Sequence, residues 1–254
     1  MPTTILEDHL RWRLEKHWGY GSFGAPVWFV GMEEGLSNGG EDYLPTRFAA
    51  TNGKILADIR RDMNNVKDHM IWFTRRSTKI PYKIQPYWSY PISFYLYVVL
   101  GREPTKYEKS IFQGEKLGSE SSCVLELMPL PSNKTNEATW QYGKYGSFGL
   151  GTRSQYLERY KHARVRRLKE LIQNHQPRLV IFNSVLYLPD WEAACGGKLS
   201  RAARQMYFLM GERTMFCVLP QNHPGMSYAR VYEFAERIRA AGVAVSARSI
   251  FEAV

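Results

Sequence analysis

The chain lacks most features that would place it in a class at a glance. Only three of its 254 residues are cysteine, Cys123, Cys195 and Cys217, far apart and without a C-x-x-C pair. An odd, scattered set excludes a disulfide framework and a thiolate zinc site, and falls short of the four thiolates of the usual iron–sulfur cluster. Three structural thiols in a reduced, cytoplasmic protein are the expectation. No apolar run approaches the roughly 20 residues that cross a bilayer, so no membrane association is expected. The opening stretch "MPTTILEDHLRWRLEKHW" mixes charges of both signs, unlike a signal or transit peptide. Its pattern predicts an amphipathic helix with Ile5, Leu6, Leu10 and Leu14 near one face. Internal repeats and low-complexity tracts are missing too, which leaves one domain over residues 1–254, large enough for a full core.

Familiar chemical motifs are equally scarce. There is no G-x-x-x-x-G-K-[ST] phosphate loop and no G-x-S-x-G nucleophile elbow. "GSFGLG" follows a polar aromatic stretch rather than a strand, so it is a poor dinucleotide fingerprint. His17, His69, His162 and His175 fall on helices or loops without ligand-like partners, and neither a metal nor a cofactor is expected.

Positive charge is abundant. Thirty-four Lys and Arg against 24 Asp and Glu leave a formal charge of +10, which favours a polyanionic partner. Seven Trp, 16 Tyr and 12 Phe supply flat surfaces on which unpaired bases could stack. Nucleic acid is the partner these two properties point to.

Four apolar runs bounded by turn signals read as buried strands: "APVWFVG", "SSCVLELMPLP", "PRLVIFNS" and "RTMFCVLPQN". Helical patterns separate them. "RFAATNGKILADIRRDM" is one, weakened at Asn52-Gly53, and "SFYLYVVLGREPTKYEKSIFQ" holds at least one more, broken near Gly101 and Pro104. "RSQYLERYKHARVRRLKELIQNH" buries Tyr156, Tyr160, Val165, Leu168, Leu171 and Ile172, and ends before Pro177. Arg159, Arg166, Arg167 and Lys169 load its other positions, as a solvated face or, for some, as phosphate contacts. "SYARVYEFAERIRAAG" is amphipathic, with Gly242 where a C-terminal cap belongs. "QYGKYGSFGLGTR" reads as a mobile loop. The alternation predicts an α/β fold, a three-layer sandwich around a central, mainly parallel sheet of four to five strands.

Two strand ends carry the candidate chemistry. "VWFVG" runs into Met32-Glu33-Glu34-Gly35, and "VLPQN" runs into His223-Pro224-Gly225. Ligands of parallel sheets bind at the carboxyl ends of strands, where an acid and a histidine far apart in sequence can converge. Taken singly, Glu33-Glu34 could be a solvated turn and His223 a turn histidine tied to backbone.

These segments resemble the uracil-DNA glycosylase superfamily. Gly31-Met32-Glu33-Glu34-Gly35 is similar to the first motif of its single-strand-selective branch, Gly-Met-Asn-Pro-Gly, at both glycines and at Met32. His223-Pro224-Gly225-Met226-Ser227-Tyr228 resembles the second motif, His-Pro-Ser followed by a DNA-inserting loop. "VLELMPLPSN" and "LVIFNS" resemble the base-contacting and next core strands between them. Glu34 stands where the family has proline, and Glu33 is longer than its water-activating aspartate. The family's base-reading asparagine has Glu126 and Asn133 as its candidates here.

The resemblance implies a uracil-DNA glycosylase-like fold and a monofunctional DNA glycosylase that flips a damaged or modified pyrimidine out of DNA. That enzyme hydrolyses the N-glycosidic bond without metal or cofactor and leaves an abasic site. Glu33 and His223 become the catalytic pair. Gly31, Met32, Glu34, Gly35, Phe48, Glu126, Asn133 and Asn183 become the substrate contacts. Met226, Ser227, Tyr228 and Arg230 form the DNA-inserting segment, although Ser227 alone reads equally well as a helix cap. Strict uracil enzymes carry a tyrosine at the position of Gly35, so the pocket is expected to tolerate larger bases. Hypermodified cytosine in phage DNA is an alternative substrate, and a non-catalytic DNA-binding protein the alternative function. A monomer acting on single- or double-stranded DNA in the cytoplasm, in repair or defence, completes the expectation.

Overall fold

The computed structural model describes residues 4–36, 40–133, 136–221 and 226–242. Within them the chain runs α1 (Glu7–Glu15), β1 (Gly19–Tyr20), β2 (Val27–Gly35), α2 (Leu44–Thr51), β3 (Leu56–Ala57) and α3 (Lys67–Phe73). It continues α4 (Pro86–Leu100), α5 (Lys106–Ile111), β4 (Cys123–Ser132), α6 (Arg153–His175), β5 (Leu179–Asn183) and α7 (Leu188–Cys195). β6 (Ser200–Ala203), β7 (Met206–Met210), β8 (Met215–Leu219) and α8 (Tyr228–Ala240) follow.

The strands form one mixed sheet of eight, in the order β3-β1-β4-β2-β5-β8-β7-β6. This corrects the expected four to five strands. The four runs read from sequence are its parallel centre, β4-β2-β5-β8. β1 joins β4 antiparallel, and β7 and β6 extend the other edge antiparallel. Most of the added strands escaped notice for physical reasons. β1 and β3 have two residues each, too few for any period, and β6 is short, half exposed and without an apolar run; β7, Met206-Tyr207-Phe208-Leu209-Met210, is an apolar run that went unread.

Side chains alternate across β2, so helices must cover both faces. Trp28, Val30 and Met32 point into a core shared with α1, α6 and α7. Val27 and Phe29 point into a second core shared with α4 and α8. By that alternation Gly31 and Glu33 face the α4 side.

Several helix limits follow from local chemistry. Thr152 caps α6 and exchanges hydrogen bonds with Gln155 in a capping box, and Ser227 accepts from the Arg230 backbone at the start of α8. Gly101 closes α4 in the left-handed region, at φ 67°. Helix α2 stops at Asn52, and the pattern expected to continue as helix turns into β3 instead. Leu6, expected on the buried face of α1, is 61% exposed, because α1 begins only at Glu7. The glycine- and aromatic-rich stretch after Trp140 is not a free loop. It coils into 3₁₀ turns and buries Tyr142, Tyr145, Phe148 and Leu150. No described helix is long and apolar enough to cross a membrane.

Candidate functional site

The central strands part where β2 ends. Pairing of β2 with β5 stops at Val30–Phe182, whereas pairing with β4 continues through Glu33–Met128 and then shifts register. β2 leads to β4 on one side and β4 leads to β5 on the other, so the chain reverses direction of winding here. Such a switch point at the carboxyl ends of parallel strands leaves a crevice for a ligand.

A cavity of about 320 Å³ opens on the α4 side of this end. Glu33, Glu34, Gly35 and Glu126 come to it from the sheet, with Ser132 and Asn133 at the end of β4. Trp72, Phe73, Tyr87 and Trp88 supply aromatic wall from α3 and α4. Gln221, just after β8, reaches it from the far side.

The three glutamates have unlike surroundings. Glu34 is held by Arg13 Nη2 at 2.6 Å, Arg47 Nη1 at 2.9 Å and the Tyr20 hydroxyl at 2.8 Å. Burial alone would push its carboxyl up, but the Arg47 and Arg13 charges outweigh it and hold the pKa at about 2. Arg13 also donates to the Pro129 carbonyl and to Thr51, with its guanidinium over the Phe48 ring. Glu33 has one hydrogen-bond partner among the described residues: Arg153, the first residue of α6, donates to Oε2 at 2.9 Å, while none of the described residues bonds the buried Oε1. Burial raises the Glu33 pKa and Arg153 opposes the rise only in part. Among the described residues no cation bonds the Glu126 carboxyl and its buried Oε2 has no hydrogen-bond partner. Burial, then the Glu34 and Glu33 charges, push its pKa well above the usual range. These surroundings favour its protonated form.

Neighbouring residues fix these positions. A Cβ at Gly31 would collide with the Glu126 carboxyl and lie 2.8 Å from the Tyr87 hydroxyl, so only glycine leaves room for both. Arg164, fully buried with its pKa lowered by burial to about 9, donates to the carbonyls of Glu126, Leu127 and His17. It thereby pins β4 next to the cavity. Pro91 lies inside α4 and cannot bond the carbonyl of Tyr87, four residues earlier. Asn183 Nδ2 donates to that carbonyl at 3.2 Å and fills the gap.

Of the residues expected at the site, Glu33, Glu34, Gly35, Glu126 and Asn133 line the cavity. Asn133 Nδ2 also donates to Glu41. Gly31 shapes the cavity by what it omits. Met32 packs in the opposite core, and Phe48 is fully buried, stacked on Tyr142; neither lines the cavity. Asn183, also fully buried, acts through Tyr87. His223 lies outside the described residues, in the gap between Gln221 and Met226. Met226 accepts a hydrogen bond from Tyr90, and the Tyr228 hydroxyl bonds Ser89 beneath the Lys109 ammonium. None of Met226, Ser227, Tyr228 and Arg230 lines the cavity.

Sequence reasoning missed Arg13, Arg47 and Arg153, the cations that set the acids apart. Arg13 and Arg153 sit on helices among other charges, where a basic residue reads as a solvated face, and Arg47 is the single charge of the short α2, with nothing local to name its partner. Among the described residues no cluster of His, Cys, Asp and Glu could hold a metal ion. No protein-family model matches the chain, and no curated protein matches it.

Proposed function

We propose that this chain is a monofunctional DNA glycosylase of the uracil-DNA glycosylase type, hydrolysing the N-glycosidic bond of a modified pyrimidine flipped out of DNA. One observation carries the reading. Glu33 lines an aromatic-walled cavity at the carboxyl end of a central parallel strand, with one carboxylate oxygen anchored by Arg153 and the other without a partner among the described residues. A buried, unpartnered carboxylate oxygen is costly unless a ligand or water uses it.

The chemistry follows from where charge develops. As the bond between sugar and base breaks, its electron pair leaves with the pyrimidine and the sugar becomes cationic. The Glu33 carboxylate stabilises that cation and orients a water whose oxygen bonds the sugar carbon and whose proton the carboxylate accepts. Arg153 positions Glu33 through Oε2 and leaves Oε1 for this role. The departing base needs a donor. Glu126, on the neighbouring strand and in surroundings that favour its protonated form, can give a hydrogen bond, and His223 keeps the leaving-group role that its motif implies. Tyr87, Trp88, Trp72 and Phe73 offer faces on which an extruded base can stack.

Pocket size favours a substituted base. A cavity near ~150 Å³ holds a benzene ring, so about 320 Å³ leaves space beside a bare pyrimidine. A Cβ built at Gly35 would meet nothing within 4 Å, so none of the described residues crowds the cavity there. Glucosylated hydroxymethylcytosine is the extreme member of this substrate class.

The test incubates labelled DNAs bearing uracil, 5-hydroxymethyluracil or glucosylated hydroxymethylcytosine with the protein and then treats them with alkali. Breakage at a substituted base is expected. Breakage at uracil alone would remove the wide pocket, and intact DNA throughout, with binding retained, would favour a non-catalytic DNA-binding protein.

A further inference from the structure

The cavity has a mouth, and one side of it is an exposed basic rim that the reading above does not use. Trp72 and Phe73 end α3 as cavity wall, and Gln85, Tyr87 and Trp88 return to the wall at the start of α4. Between them Arg75, Arg76, Lys79 and Lys83 are all exposed. From His69 to Arg102 the chain contains no Asp or Glu. None of these four cations forms an ion pair among the described residues. Some cations elsewhere on the surface are neutralised locally, as Arg167 is by Glu170, Lys161 by Asp190, Arg237 by Glu233 and Arg239 by Glu236; what sets the rim apart is four cations within nine residues of one turn at the mouth of the cavity.

The rim is also held in shape. The Arg76 backbone donates to the Pro81 carbonyl at 2.7 Å, and Ser77 closes the turn onto Ile80. Tyr82 exchanges hydrogen bonds with Ser110, and Gln113 accepts from the Gln85 backbone and donates to the Lys83 carbonyl. Ser110 and Gln113 belong to α5 and the π-helical turn after it, so the rim is bolted to the body of the fold. Lys83 Nζ lies 4.9 Å from the centre of the Trp72 ring, joining the cationic rim to the aromatic wall. Four unpaired cations on one ordered turn repel each other unless a polyanion covers them.

We infer that residues 75–83 are the track on which the DNA backbone lies as it delivers a nucleotide to the cavity, with Arg75, Arg76, Lys79 and Lys83 contacting successive phosphates. The inference rests on the glycosylase reading for its direction, cavity-ward, but not for its partner. It also sets this rim, rather than the basic positions of α6, as the phosphate contact. Those α6 positions lie on the helix packed against the opposite core.

The experiment compares two variants of equal net charge, Arg75→Ser/Lys79→Ser and Arg166→Ser/Arg167→Ser. Both avoid Arg76, whose side chain bonds the Ile71 carbonyl, and every cavity-lining residue. Fluorescence anisotropy measures affinity for unmodified single-stranded and duplex oligonucleotides across a salt series. Each lost phosphate contact should flatten the salt dependence by about 0.7 for single strands or 0.9 for duplex. The rim variant should therefore lose roughly tenfold in affinity at ~0.1 M salt, with a slope shallower by about 1.4 to 1.8. The α6 variant should keep the wild-type slope. Equal losses in both would reduce the effect to net charge and overturn the track, as would an unchanged rim variant or a wild type that does not bind DNA.

Should the rim variant fold poorly, DNA protection of Lys79 and Lys83 from amine-reactive labelling in the unaltered protein gives the same answer. Absence of protection there also overturns it. Because the oligonucleotides carry no excisable base, these results stand or fall apart from base release.

Discussion

Glu33 and Glu34 are neighbours in the chain and opposites in their surroundings. Glu34 is enclosed by two arginines and a tyrosine hydroxyl, and all of this machinery serves to keep it ionised. Among the described residues Glu33 has one arginine on one oxygen and nothing on the second, and on the neighbouring strand no cation bonds the Glu126 carboxyl. A carboxylate with partners on both oxygens ties elements together; here Glu34 joins α1, α2 and β1 to the end of β2. A carboxylate left partly open is a standing cost in the folded protein, and such costs mark places kept for a ligand. The difference separates scaffold from chemistry within one dipeptide.

Stability measurements should reproduce the contrast, and the largest effect belongs to Glu34. Its pKa near 2 lies below an ordinary value of 4.5, so it stabilises the fold above pH ~4.5 and loses that contribution as pH falls toward 2. Glu34→Gln should cost about 3 kcal/mol in urea unfolding at pH 7, because Arg13 and Arg47 stay buried without their counter-charge. Glu33→Gln should cost less, about 1–2 kcal/mol, since its raised pKa means folding already disfavours the charge and one buried arginine, Arg153, loses its counter-charge rather than two. Equal losses in the two variants would erase the distinction.

Next in size is the pairing of Asn183 with the carbonyl that Pro91 cannot bond. Asn183→Leu should destabilise by about 1–3 kcal/mol by orphaning the Tyr87 carbonyl. Restoring an N–H with Pro91→Ala should recover much of this, which a double-mutant cycle would read as coupling. Additive effects would mean that Asn183 acts elsewhere.

The smallest effect is expected at Glu126, with the opposite sign to Glu34. A raised pKa costs stability as pH climbs from the ordinary carboxylate value toward the folded one. Glu126→Gln should therefore stabilise by about 1 kcal/mol at pH 7 and flatten the fall in stability toward alkaline pH. A loss of stability would show that the carboxyl is ionised and paired.

The legible parts of this protein were those with long, regular patterns. The four central strands are continuous apolar runs, and α6 spans the same 23 residues that its periodicity and the stop before Pro177 predict. Most edge strands were not legible, because two-residue bridges and the short polar β6 have no pattern to read; β7 is an apolar run of five that went unread. At the site, Glu33 was visible because an acid directly after an apolar run is out of place. Arg153 was not, since its partner lies 120 residues away and its own neighbours form a basic helix. Asn183 was read as a substrate contact, yet its partner is a backbone atom freed by a proline 92 positions earlier, and nothing local signals that.

Base release by wild type and Glu33→Gln, measured as alkali-sensitive breaks in DNA carrying the preferred modified pyrimidine, tests the central claim most directly. The account predicts breakage by the wild type and a loss of about 10²–10⁴-fold in rate for the variant, with the variant still folded and its DNA affinity close to unchanged. Equal rates, or no breakage by either protein on any base, would contradict it.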